Sequence, residues 1–261
     1  MKRVMLLIGV VLLLTGSATV WAGQGLLERA LEGGAAIIDL TYPLNERTQV
    51  WPGGLPFMKE LIVDYDKGYR LFNFTMAENV GTHVDAPAHF IKGGISIDQI
   101  PLTLLIGPAV VLNAVEQVTK NPDYLLTVDD LDRWEKAHGR IPQVAVVLMY
   151  TGWGARWNDT KRYRNMDKKE VMHFPGFSAA AARFLVQHRK INGIGIDTLS
   201  LDHGPSTDFP VHKVMLSAGK YQIENLADLD KLPPRGAVLF VLPIKVGEGS
   251  QAEARVIAIA P

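Results

Sequence analysis

Short apolar runs recur along the chain from residue 36 to its end, separated by polar and turn-forming residues. Several of them are continuous rather than alternating, which is typical of strands buried on both faces. They predict strands over Ala36–Leu40, Leu61–Tyr65, Leu71–Ala77, Ala109–Leu112, Val144–Met149, Gly193–Ile196, Val238–Pro243 and Arg255–Ala260.

Three segments between these runs have helical patterns with recognisable ends. Val128–His138 starts with acidic residues, which suit a helix N-terminus. Ser178–Gln187 begins with a serine that can cap the first turn. Pro210–Ala218 has proline at an allowed first-turn position and glycine directly after it.

The order of these elements predicts the fold class. Strands outnumber helices, and some strands lie too close together for crossover helices between them. We therefore expect an α/β fold, as a single mixed α/β domain over residues 36–261 with a β-sheet core flanked by helices. A shorter helical pattern, Gln24–Leu31, predicts an N-terminal arm over residues 23–35.

Residues 1–22 have the layout of a secretory signal peptide. Lys2 and Arg3 precede an apolar run from Val4 to Leu14, and small residues stand at the −3 and −1 positions before the end of the segment. The alternative is a transmembrane anchor, but the apolar run falls short of the roughly 20 residues that span a bilayer. We expect a periplasmic or secreted protein that has no membrane contact after cleavage of the signal.

The composition limits the partners, reactive groups and metal ligands that the protein can have. The 261 residues include 27 Lys+Arg and 27 Asp+Glu, so the net charge is zero and nothing predicts a nucleic-acid partner. The chain has no cysteine, which excludes disulfides, thiol nucleophiles and thiolate metal sites. A metal would have to be held by histidine, carboxylate or amide groups. We expect no organic cofactor.

Residues 78–90 read ENVGTHVDAPAHF and place two histidines and a carboxylate within seven residues. In an extended backbone His83 and Asp85 would point to one side, because residues two apart share a face. Pro87 would end strand pairing and let His89 approach from a different direction. Such a donor set suits Zn²⁺ or Mn²⁺. Two ligands do not make a site, however, and an isolated histidine is more often structural.

Further candidates lie in the second half of the chain. His212 would sit in the first turn of a helix, and Glu224 follows a short strand between the apolar residues Ile223 and Leu226. A carboxylate with apolar neighbours is usually exposed at an edge or else paired. Neither residue would be informative alone.

The pattern G-T-H-x-D-x-P-x-H over residues 81–89 resembles the signature of the metal-dependent cyclase-like hydrolases, which include bacterial kynurenine formamidases and isatin hydrolases. That family also has a distant histidine followed twelve residues later by a glutamate, the spacing of His212 and Glu224. Other blocks resemble the family in the same order, namely Asp39–Leu44, Trp51–Gly53, Thr151–Trp153, Phe174–Ser178 and Gly195–Ser200. The resemblance implies a cyclase-like fold of the swivelling β/β/α type.

The resemblance also implies roles for single residues. The implied metal ligands are His83, Asp85, His212 and Glu224, and the implied catalytic acid–base is His89. The family pattern opens with a histidine where this chain has Asn79. Because an amide oxygen is a weaker ligand than imidazole, this difference favours one metal, Zn²⁺ or Mn²⁺. Asn79 would bind that metal weakly or hydrogen-bond a water molecule beside it.

The implied reaction is hydrolysis of a C–N bond in a small aromatic amide, as in an arylformamidase. Trp51 is a candidate aromatic wall for the substrate, although a core tryptophan is the other interpretation. A lactam hydrolase of the same family and a non-catalytic periplasmic binding protein remain as alternatives. A structural metal protein is disfavoured because structural zinc prefers cysteine-rich sites. Related family members form oligomers, so the resemblance implies a homodimer.

Overall fold

The computed structural model describes residues 19–261. Most of the predicted signal peptide, residues 1–18, lies outside the described residues. Helix α1, Thr19–Leu31, includes the predicted helical segment Gln24–Leu31. Its residues Leu26 and Ala30 pack against Ile259 of the last strand. Within residues 19–261, every helix falls below the length and hydropathy that a bilayer crossing requires.

Twelve strands follow α1 in the described part of the chain. They are β1 (Ala36–Asp39), β2 (Met58–Val63), β3 (Leu71–Thr75), β4 (His83–Asp85), β5 (Ile106–Asn113), β6 (Leu125–Leu126), β7 (Val146–Tyr150), β8 (Gly176–Phe177), β9 (Gly193–Ile196), β10 (Tyr221–Glu224), β11 (Val238–Pro243) and β12 (Gln251–Ala260). The other helices are α2 (Leu102–Leu105), α3 (Val115–Lys120), α4 (Val128–His138), α5 (Thr160–Arg164), α6 (Ala179–Phe184) and α7 (Pro210–Ser217).

The main sheet closes on itself. Its eight strands run in the order β1-β12-β11-β5-β7-β9-β10-β4, and β4 also pairs with β12. Both β4 and β1 pair with the same long strand, β4 with Gln251–Glu253 and β1 with Ile257–Ala260. The sheet thereby forms a barrel, with β1 as an additional strand and β4 as the closing one.

The barrel separates two apolar cores. One core includes Val84, Leu148, Ile223 and Val256 from the strands. On the other side, residues of β5, β7 and β9 pack with helix residues such as Trp134. The result is the mixed α/β single domain with a sheet core and flanking helices that the sequence predicts.

Most predicted elements are present, with shifted ends. Helix α4 has the predicted bounds, and Ser178 caps α6 by accepting from the Ala181 amide. The strand expected over Leu61–Tyr65 instead ends at Val63, because Asp64 caps a 3₁₀ turn that begins at Tyr65. The last strand begins at Gln251, four residues before the predicted start, because Gln251–Glu253 pair with β4.

Candidate active site

Strand β4 carries the first part of the site. His83 and Asp85 stand on the same face of the strand, as the two-residue spacing predicts, and both are buried. The strand is short because Ala86 leads into a 3₁₀ turn, Pro87–His89, with proline in its first position. This turn directs the chain away from the sheet and brings His89 to the cavity from the side.

The neighbouring strands extend this polar face. On β10, Glu224 lies opposite His83 and Gln222 opposite Asp85. On β12, Glu253 lies opposite His83 and Gln251 opposite Asp85. Directly opposite residues in antiparallel strands share a face, so six polar side chains from three strands meet there, while the alternate residues Val84, Ile223 and Ala252 pack in the barrel core.

Two glutamines hold the Asp85 carboxylate from either side. Gln251 Nε2 donates to Asp85 Oδ1 at 2.7 Å, and Gln222 Nε2 donates to Asp85 Oδ2 at 3.2 Å. These bonds fix the plane of a fully buried carboxylate and offset part of its desolvation.

Helix α7 supplies His212 from above the sheet, and Asp202 orients it. Asp202 Oδ2 accepts from His212 Nδ1 at 2.7 Å and from the His212 amide at 3.1 Å, while Oδ1 accepts from the Val211 amide at 2.9 Å. One buried carboxylate thus satisfies the first amides of the helix and also fixes the tautomer of the histidine. Nε2 of His212 is left facing the sheet.

The four central side chains form a closed ring of contacts. His83 Nε2 lies 3.4 Å from Asp85 and 3.3 Å from Glu224. His212 Nε2 lies 3.3 Å from Asp85 and 3.4 Å from Glu224. Each carboxylate therefore lies between two imidazoles, and each imidazole between two carboxylates.

The chemistry of this ring fits a divalent cation. Ligand atoms of His83, Asp85 and Glu224 all lie within 4.8 Å of one another. His83 Nε2 is buried and has no hydrogen-bond partner of good geometry. The other nitrogen of the imidazole, Nδ1, faces the Gly81 carbonyl at 2.8 Å. An imidazole nitrogen buried without a partner is costly unless a metal or proton occupies it. Nitrogen and carboxylate ligands of this kind suit Zn²⁺ and Mn²⁺.

Protons can take the place of a cation in this ring. Burial alone would lower the pKa of His83, but the carboxylates of Asp85 and Glu224 outweigh burial and raise it to about 10. Burial likewise opposes charge on His212, but Asp202, Asp85 and Glu224 raise its pKa well above the usual value. Against its own burial, Asp85 has a pKa well below the usual range because His212 and His83 face it.

A cavity of about 250 Å³ opens onto this ring. Its lining residues are Trp51, Asn79, His89, Phe90, Ser200, Phe209, His212, Glu224 and Gln251. The ring of His89 lies 5.9 Å from that of His212. Burial lowers the pKa of His89, so this imidazole is neutral near pH 7 and can accept a proton.

The wall of the cavity beside the four central side chains is aromatic. Phe209 lies 6.0 Å from Trp51 and 5.9 Å from Phe90, as measured between ring centroids. Phe209 has a φ of +48°, which is unusual for a bulky residue and marks local strain. Trp51 is only partly buried and faces the cavity, where the sequence analysis placed a candidate substrate wall.

The structure thus brings His83, Asp85, His212 and Glu224 together and places His89, Asn79 and Trp51 on the adjoining cavity. Sequence reasoning missed Asp202, Gln222, Gln251 and Phe209. Gln222 had a signal, because it stands two residues before Glu224 on the same strand face. No sequence pattern pointed to Asp202, because its partner His212 lies ten residues away along the chain.

Known proteins are similar to this chain in sequence and in fold. The Cyclase family model matches residues 38–203. Over 256 residues the chain is 31% identical to an isatin hydrolase of Roseibium aggregatum, covering 91% of this chain and 97% of that protein. It is 28% identical over 221 residues to a kynurenine formamidase of Geobacillus thermodenitrificans, covering 83% and 95% of the two chains.

A solved structure agrees with the sequence matches. Isatin hydrolase A from Labrenzia aggregata, bound to benzyl benzoate, superposes with a TM-score of 0.85 at 36% identity, covering 92% of this chain and 99% of that one. These matches extend over nearly the whole described fold. The chain therefore belongs to the cyclase family, and the relatives it matches are hydrolases that act on non-peptide C–N bonds.

Proposed function

We propose that the protein hydrolyses the C–N bond of a small, uncharged aromatic amide, with a cyclic amide of the isatin type as the first candidate. The observation that carries the proposal is the cavity itself. The four side chains that could bind a metal lie at its base, and Trp51, Phe90 and Phe209 lie around it. Flat aromatic rings pack well against such walls. The isatin hydrolase relatives support the same substrate class.

The charge of the cavity favours a lactam over an amino-acid substrate. Among the described residues that line it, the titratable ones are His89, His212 and Glu224, and none is lysine or arginine. N-formylkynurenine carries an α-carboxylate, which proteins usually pair with such a cation. The formamidase reaction remains the second candidate because kynurenine formamidases align over most of the chain.

The metal ligands in this proposal are His83, Asp85, His212 and Glu224. A divalent metal held there, Zn²⁺ or Mn²⁺, supplies Lewis acidity that activates water and polarises a carbonyl oxygen. Asp85 and Glu224 balance its charge, and the second ring nitrogens of both histidines are already bound by Gly81 and Asp202.

His89 provides the acid–base chemistry. Its neutral imidazole accepts a proton from the attacking water and then donates that proton to the leaving nitrogen. The aromatic side chains orient the ring of the substrate and exclude bulk water from the reacting bond. In a lactam the leaving nitrogen stays attached to the product, so the reaction opens the ring to a carboxylate and an aniline.

Hydrolysis of isatin by the Zn²⁺- or Mn²⁺-loaded protein, followed by absorbance, tests the proposal. N-formylkynurenine is run in parallel, and a chelator-treated sample is the control. We expect chelator-sensitive opening of isatin with a higher kcat/KM than for formylkynurenine. The reverse order would favour the formamidase, and binding of either compound without turnover would support the non-catalytic alternative.

We further propose that the protein is exported and forms a homodimer. The β2–β3 hairpin pairs with no other strand in residues 19–261 and exposes Met58, Leu61, Leu71 and Phe74. An apolar hairpin of this kind commonly marks a protein interface. Light scattering of the purified protein tests the dimer.

Export is tested separately. N-terminal sequencing of the protein from the periplasmic fraction shows whether the chain is cleaved after Ala22.

A further inference from the structure

The carbonyl oxygen of Gly81 determines which nitrogen His83 presents to the site. His83 Nδ1 lies 2.8 Å from this oxygen. A carbonyl oxygen can only accept, so Nδ1 carries a proton and Nε2 faces Asp85 and Glu224. A rotation of the Gly81 peptide would remove this constraint and allow the imidazole to turn.

Gly81 needs outside support to hold that carbonyl. Its φ of +69° is a conformation that glycine adopts easily, and a Cβ at this position would lie 2.8 Å from Thr48 Cγ2. The amide of Gly81 is bound, since it donates to the Gln49 carbonyl at 2.9 Å. The carbonyl side is bound by Asn225, whose Nδ2 donates to the Gly81 oxygen at 2.9 Å.

Asn225 is itself held at every polar atom. It is fully buried and has a φ of +55°. Its amide donates to the Thr198 carbonyl at 2.9 Å, and its carbonyl accepts from Thr82 Oγ1 at 2.7 Å. Its Oδ1 accepts from the Tyr163 hydroxyl at 2.8 Å. The side-chain amide therefore has one orientation, with Nδ2 directed at Gly81.

Tyr163 anchors the outer end of this series of hydrogen bonds. It lies on α5, and its backbone carbonyl accepts from Trp153 Nε1 at 2.7 Å. Burial raises the pKa of Tyr163 well above its usual value, so the hydroxyl keeps its proton, which faces Asn225 Oδ1 at 2.8 Å and the Asp197 carbonyl at 3.0 Å. A residue of helix α5 is in this way connected to His83 by three successive hydrogen bonds.

We propose that Asn225 is a positioning residue for His83, acting through the carbonyl of Gly81, with Tyr163 as its anchor. The proposal rests on the proposed function in taking His83 as a metal ligand. The two histidines then differ in support: a carboxylate orients His212, whereas a backbone carbonyl held by an amide orients His83.

The test uses Asn225→Gly, because glycine keeps the positive φ and removes only the side-chain amide. Asn165→Gly is the matched control: Asn165 has a φ of +47° and its Nδ2 donates to the His173 carbonyl at 2.8 Å, away from the ring. We expect Zn²⁺ affinity, measured by competition with a chromophoric chelator, to fall about 10–100-fold in Asn225→Gly and to stay unchanged in the control.

A second measurement does not depend on metal or turnover. In the metal-free protein, the Nδ1 proton of His83 is hydrogen-bonded and should exchange slowly in proton–nitrogen NMR spectra of the imidazoles. We expect fast exchange in Asn225→Gly and an intermediate rate in Tyr163→Phe, which keeps the ring and loses only the hydroxyl.

The outcomes separate the two proposals. Wild-type protein that binds neither Zn²⁺ nor Mn²⁺ would defeat the proposed function, and the exchange rate of the His83 proton would still decide the role of Asn225. Slow exchange in Asn225→Gly, or wild-type Zn²⁺ affinity in that variant, would overturn the positioning role. If Asn225→Gly does not fold, wild-type behaviour of Tyr163→Phe in both measurements would overturn it instead.

Discussion

Asp202→Asn would reverse a hydrogen bond at the site with little change in shape. The Asp202 carboxylate lies 2.7 Å from His212 Nδ1. An asparagine that keeps its oxygen on the Val211 amide would direct its NH₂ group at this Nδ1 and at the His212 amide, because both are bound by the other carboxylate oxygen. To restore a hydrogen bond, the imidazole must move its proton to Nε2. That proton would then point at Asp85 and Glu224 and occupy the position of the metal-binding lone pair.

The expected loss has two parts. Loss of a partner that orients a metal-binding histidine typically costs about 10–100-fold in metal affinity, or about 1.4–2.8 kcal/mol. The metal-free protein also loses a charge-assisted hydrogen bond worth about 1.5–3 kcal/mol and a carboxylate at the N-terminus of α7 worth about 0.3–1 kcal/mol. We therefore expect a fall of roughly 2–4 kcal/mol in the free energy of unfolding.

Chelator competition measures the first part, and denaturant unfolding in the presence of chelator measures the second. Asp159→Asn is the control, because Asp159 caps α5 by accepting from the Arg162 amide at 3.0 Å and contacts no histidine of the ring. Asparagine caps a helix about as well as aspartate. Wild-type Zn²⁺ affinity in Asp202→Asn would refute the tautomer argument, even if the unfolding free energy fell.

Three other predictions concern the remaining groups of the site. His89→Ala should keep the metal and lose about 10²–10⁴-fold in kcat, as shown by metal analysis beside steady-state rates; an unchanged kcat would exclude His89 as the acid–base. Protonated His83, with its pKa raised to about 10, stabilises the metal-free protein fully below its unfolded value near 6.5 and loses this effect as the pH rises towards 10. Metal must displace that proton, so Zn²⁺ affinity should rise with pH over the same window, and calorimetry in buffers of different ionisation enthalpy should detect proton release; a pH-independent affinity would contradict this. Trp51→Ala should raise KM for isatin more than it lowers kcat, because the wall contributes binding area away from the reacting bond; an effect on kcat alone would place Trp51 elsewhere in the mechanism.

Local rules were enough to predict where His83, Asp85 and His89 lie relative to one another. The alternation of a strand predicts a shared face for His83 and Asp85, and the proline after them predicts the separate approach of His89. Both features depend on neighbours within seven residues. Helix ends were also predictable, because capping residues such as Ser178 act within a single turn.

Apart from Gln222, the supporting residues on the sheet and beside it were not predictable because their partners are distant in sequence. Gln251 reaches Asp85 across 166 residues, and Asn225 reaches Gly81 across 144. Gln251 and Glu253 also interrupt the apolar run of β12, and the strand was therefore predicted to start too late. Only closure of the sheet through β4 brings these polar positions onto the face of the site.

The number of metal ions follows from charge as well as ligand count. Asp85 and Glu224 carry two negative charges, which one divalent cation balances. The other carboxyl on this face, Glu253, lies opposite His83, and burial raises its pKa, which weakens it as a third charge. We therefore expect one tightly bound ion per chain by elemental analysis. In Asn79→His a neutral imidazole adds a ligand without adding charge, so the ratio should stay at one; two tightly bound ions in the wild-type protein would show that charge balance does not limit the site.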